Sequence, residues 1–93
     1  MVSHEEALRA AVEYLRHTYR DMPYTFVMEP ELTTEHREVW AIRFDTEERR
    51  DTGDMTKAPF TRLLLVPKDG AEPWFPPSAW SVGEFEAQLG PPQ

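Results

Sequence analysis

Between Glu38 and Asp45 the chain alternates strictly, with Trp40, Ile42 and Phe44 on one side and Val39, Ala41, Arg43 and Asp45 on the other. A period of two belongs to an extended strand, whose successive side chains point to opposite faces of a sheet. Three large apolar residues on one face have to be covered by another element. The tract therefore predicts a half-buried strand with a layer packed on it.

The segment that can supply this layer comes first in the chain. Ser3 and Glu6 have the spacing of a capping box, in which the hydroxyl accepts from the Glu6 N–H and the carboxylate accepts from the Ser3 N–H. A helix starting there places Leu8, Ala11, Val12, Leu15 and Tyr19 on one stripe, with Glu5, Glu6, Glu13 and Arg16 elsewhere. Acids in the first turn and Arg16 and Arg20 near the end suit the helix dipole. Asp21-Met22-Pro23 ends the helix, because proline pushes the preceding residue out of helical conformation.

The rest of the chain is read from its punctuation. Tyr24–Met28, aromatic and β-branched between Pro23 and Pro30, predicts a short edge strand. Residues 30–37 are polar and turn-like. Residues 46–58 hold seven charges and one glycine in thirteen positions and read as a solvated excursion. Phe60–Val66, with three consecutive leucines, predicts a strand covered on both faces and placed at the centre of the sheet. Pro67-Lys68-Asp69-Gly70 is a turn signature. Prolines 73, 76 and 77 leave room for at most a short edge strand around Trp74 and Phe75. Ser81 with Glu84 opens a short helix that puts Val82, Phe85 and Leu89 on one face and stops at Gly90, and the final Pro-Pro-Gln is expected to fray. The expected fold class is α+β: a small antiparallel β-sheet of three to four strands, a long N-terminal helix packed on it and a short C-terminal helix.

Composition limits the function. Ninety-three residues suit one domain spanning 1–93, and the absence of cysteine removes disulfides, thiolate metal sites and thiol nucleophiles together. No apolar run approaches the ~20 residues of a membrane span. Met1 to Glu6 has neither the basic start nor the apolar stretch of a secretory signal, so the expected location is the cytoplasm. Seventeen acids against ten bases give a net charge of −7, the wrong sign for gripping a nucleic-acid backbone. Such a surface attracts basic partners and also keeps a small domain in solution.

Catalytic and cofactor chemistry finds no foothold. His4, His17 and His36 show no paired ligand spacing, so no metal is expected. Ser3 and Ser81 are accounted for as helix caps, which leaves Ser78 without an evident base. The carboxylates of residues 45–54 read as a solvated face, and the four glycines are isolated. No catalytic residue and no cofactor is assigned.

Aromatic residues offer a binding surface instead. Trp40 lies in a periodic strand and reads as core. Trp74, Phe75 and Trp80 lie among prolines with no period to direct them inward, so they either close the open end of the core or anchor a partner, a role in which tryptophan is favoured.

In order and spacing, several segments resemble the YrhB domain family, also called immunity protein 35. They are Ser3-His4-Glu5-Glu6-Ala7, Trp40-Ala41-Ile42-Arg43-Phe44-Asp45, Thr52-Gly53-Asp54, the stretch from Pro59 through Leu63-Leu64-Leu65-Val66-Pro67-Lys68-Asp69-Gly70, and Pro76-Pro77-Ser78-Ala79-Trp80-Ser81-Val82-Gly83-Glu84-Phe85. The resemblance implies a small bacterial immunity protein, encoded beside a polymorphic toxin, that neutralises the toxin by binding it and is not an enzyme. The expected partner is a cognate toxin, basic in charge, such as a nuclease. The expected contact residues are Glu47, Glu48, Asp51 and Asp54, with Trp74 or Trp80 as the apolar anchor. The competing reading is a chaperone-like or general interaction module that holds apolar segments, which salt would affect little.

Overall fold

Ser3 caps the first helix as its spacing predicts: its hydroxyl accepts from the Glu6 N–H at 3.2 Å and its own N–H donates to the Glu6 carboxylate. A computed structural model of the chain describes residues 2–59, 61–77 and 79–91, and of Val82 the backbone alone. The expectations for Phe60, for Ser78, for the Val82 side chain and for Pro92 and Gln93 lie outside the described residues.

Helix α1 spans His4–Thr18 and buries Ala7, Ala11 and Leu15 completely. Its contact stripe is rotated from the predicted one, with Leu8 only partly buried beside the core and Val12 half-buried at its margin. Two alanines in the centre let the helix axis approach the sheet closely, whereas ranking by hydrophobic size moves the stripe towards the larger side chains.

The sheet is built around β3, Val39–Thr46. On one side of it run β1 (Phe26–Met28) and β2 (Thr34–Glu35), interrupted by a 3-10 turn at Pro30–Leu32; on the other runs β4 (Leu63–Pro67). All pairings are antiparallel, with Phe26 opposite Thr46, Glu35 opposite Trp40 and Ala41 opposite Leu65. The observed class is the expected α+β. The centre of the sheet, however, falls to β3 and not to the leucine tract, because β3 has strand partners along both of its edges. Beyond β4 the ladder continues only as a single bridge between Leu65 and Trp74. In that register Pro76 faces Leu63 and has no N–H to donate, which stops the pairing.

Both faces of the sheet are covered. Ile42, Phe44, Leu64 and Val66 pack under α1, while Val39, Ala41 and Leu65 pack with Leu63, Phe85 and Leu89 on the other side. The latter two side chains come from α3, Val82–Leu89, which starts at the Ser81 cap and ends at Gly90. β3 is thus buried on two faces where its alternation predicts one, since residues as small as Ala41 suffice beneath a short helix. β4 is covered on both faces as predicted.

Residues 46–58 are a further departure. They form a helix, α2, at Glu47–Thr52 and a 3-10 turn at Met55–Lys57. The signals are legible in hindsight: Thr46 as N-cap, acids in the first turn, arginines in the last and Gly53 at φ 72° after the end.

Candidate functional site

α2 carries three of the four acids expected to meet a partner. Thr46 fixes its start, accepting from the Arg49 N–H at 3.1 Å while donating to the Lys57 carbonyl at 2.6 Å, so one buried hydroxyl fastens both ends of the excursion. Glu48 accepts from the Thr25 N–H at 2.6 Å, and this bond holds its carboxyl below the usual carboxylate range. Asp54 accepts from the hydroxyl and the N–H of Thr56, with the same effect. Two of the acids are therefore already engaged in shaping the excursion. Glu47 and Asp51 are exposed, with no hydrogen bond or ion pair from their carboxylates among the described residues. The tract also carries Arg49, Arg50 and Lys57, so its four acids face three bases and its field is weak.

Asp45, at the end of β3, accepts from the Arg49 guanidinium through both carboxylate oxygens, with Nε at 2.6 Å from Oδ1. It also accepts from the Thr46 N–H at 2.8 Å and has Arg62 at 3.9 Å. The fork from Arg49 holds the buried carboxyl below its ordinary value. This pair stiffens the join between strand and helix.

Trp74 and Trp80 stand elsewhere. Trp74 faces Leu65, which faces Ala41, and α2 begins six residues further along β3, or about 20 Å at ~3.3 Å per residue. Trp74 thus stands away from α2 along the sheet. The two tryptophans do meet each other, edge to face with ring centres 6.1 Å apart, and Trp80 meets Phe85 in the same way at 6.1 Å. Trp74 is 37% exposed. Trp80 is half-buried and borders two clefts flanking α3, one of about 630 Å³ shared with Trp74 and one of about 340 Å³ towards Phe85 and Leu63.

Two further features belong to this face, the first of which escapes a reading by pattern. His36 is 1% exposed, with Nδ1 3.0 Å from the Gly90 carbonyl and Nε2 2.9 Å from the Thr34 hydroxyl, and its ring meets Phe85 edge to face. A carbonyl only accepts, so Nδ1 carries the proton. A histidine in a polar tract gives no local sign of such burial, because its partner lies 54 positions away. The second feature was visible in the sequence: after Lys68 there is no Lys, Arg or His, while Asp69, Glu72, Glu84 and Glu86 remain. Each of these four is exposed and makes no ion pair among the described residues.

Trp40 is positioned as part of the core margin. Its indole N–H donates to the Val2 carbonyl at 3.0 Å, the His4 ring stacks on it, and the Lys68 ammonium sits 5.2 Å from the ring centre while donating to Glu35. Among the described residues no group of three or more His, Asp or Glu is placed to hold a metal ion, and no helix is long and apolar enough to cross a membrane.

Comparison with known families finds one described as immunity protein 35, whose model matches residues 5–88 of this chain. Neither the curated proteins nor the solved structures give a significant match.

Proposed function

The chain belongs to the immunity protein 35 family, and we propose that it neutralises a cognate toxin by stoichiometric contact, without turning over a substrate. The single observation that carries this reading is the family match across residues 5–88, nearly the whole chain. The surface chemistry is consistent with it. The net charge of −7 would draw a basic toxin at long range, and the exposed Trp74 with Trp80 beside it has the character of an interface anchor. Glu47 and Asp51, whose carboxylates are free to meet a partner, are proposed as steering charges. Glu48 and Asp54 contribute by holding the excursion in shape.

The reading is tested by co-expressing the chain with the toxin encoded beside it. Growth is expected to be restored, and the two proteins are expected to elute together at one to one. A toxin that stays active in the presence of excess chain, with no complex formed, contradicts the proposal.

A further inference from the structure

The larger cleft beside α3 combines two indole rings with two acids, Glu38 and Asp69, that make no ion pair among the described residues. Trp74 and Trp80 line it together with the buried Val39 and half-buried Leu89, which supply an apolar floor, and with Glu38 and Asp69. Both acids are exposed. Asp69 takes one N–H, from Ala71 at 2.9 Å, and keeps its other oxygen for a ligand. From Asp69 onward the chain carries four acids and no base, and Asp69 is the one of them that lines the cleft. Two cations also border it. The Lys68 ammonium is turned away onto Glu35 and Trp40, whereas Arg37 is exposed.

We infer that this cleft receives a long cationic side chain, arginine or lysine, from the partner protein. An apolar floor suits the methylene stem of such a residue, the indoles attract its charged head through their ring faces, and the Glu38 and Asp69 carboxylates accept its hydrogen bonds. A purely apolar side chain would fill the floor and leave the acids unanswered. An acidic one would be repelled. This inference rests on the reading of the chain as a toxin-binding protein, and it moves the principal contact from α2 to the α3 side of the sheet.

The cleft can be tested without the toxin. The protein, labelled with 15N, is titrated with N-acetyl-arginine amide and, separately, with N-acetyl-citrulline amide, which has the same shape and no charge. The three tryptophan indole N–H signals are followed. Those of Trp74 and Trp80 are expected to shift saturably with the arginine amide at roughly five-fold lower concentration than with the citrulline amide. The Trp40 signal, bonded to Val2, is expected to stay in place and to report an intact fold. Asp69→Asn, which retains an oxygen for the Ala71 N–H, is expected to weaken the response several-fold, and Arg37→Gln to strengthen it. Equal response to both probes, or no saturable shift at Trp74 and Trp80, overturns the inference. If the cleft fails this test while the chain still neutralises its toxin, only the cleft is lost. If the cleft binds and neutralisation fails, the functional reading is lost instead.

Discussion

His36 holds the Gly90 carbonyl through Nδ1 at 3.0 Å, fastening the far end of α3 to the turn between β2 and β3. Among the described residues, the other contacts that keep α3 on the sheet are chiefly those of Phe85 and Leu89 with Val39, Ala41 and Leu65. His36→Ala removes the bond, the edge-to-face contact with Phe85 and a buried ring, and is expected to destabilise the protein by about 2–4 kcal/mol. Because these contacts all serve α3, amide exchange is expected to accelerate over 82–90 more than within β3. Uniform acceleration across the chain would show that His36 supports the whole fold equally.

Thr46 is the corresponding fastening at the other end of the sheet. Thr46→Val keeps the shape and deletes the hydroxyl that both caps α2 and closes onto Lys57. A loss of about 2 kcal/mol is expected in urea unfolding. Trypsin is expected to cut sooner at Arg49, Arg50 and Lys57. Unchanged cleavage would mean that the excursion is held by other contacts.

Acid is expected to find Asp45. Its native carboxyl titrates below the ordinary value, chiefly because Arg49 bonds to it, so the stabilisation is full above the unfolded value of about 3.9. It is lost as pH falls through the lower native value. Asp45→Asn is expected to cost roughly 2 kcal/mol near neutrality and to flatten the decline in stability below about pH 4. Glu48 and Asp54 titrate low as well, but they are surface groups and solvent screening limits their share. An unchanged acid limb in the variant would assign the acid sensitivity elsewhere.

How much of this was legible follows from the range of each signal. The capping box at Ser3, the alternation of β3, the turn ending at Gly70 and the α3 cap are local, and each appears where its residues predict. The central place of β3, the burial of His36 and the second covered face depend on partners far along the chain, for which a window of neighbours contains no information. α2 is a different case. Its cap, its charge order and Gly53 are all local, yet seven charges in thirteen residues suggested solvent and obscured a short helix. The candidate acids and tryptophans share a binding chemistry, and chemistry carries no information about the roughly 20 Å of strand between α2 and the Trp74 position.

Ionic strength and substitution separate the two kinds of contact. The rate of association with the toxin is expected to fall about tenfold or more between low and physiological salt, and Glu47→Gln with Asp51→Asn is expected to lower that rate further while changing dissociation little. Trp74→Ala and Trp80→Ala are each expected to speed dissociation, with a loss of about 2 kcal/mol in affinity. These are read by stopped-flow and surface plasmon resonance. Salt-insensitive association would point to apolar holding without charge steering.

The most direct measurement is a titration of toxin activity by the purified protein at fixed toxin concentration well above the dissociation constant. Activity is expected to fall linearly to zero at one molar equivalent and to return when the complex is dissociated, with the toxin chemically unaltered. Complete inactivation by a small fraction of an equivalent, leaving a modified toxin after removal of the chain, would establish turnover and contradict the account.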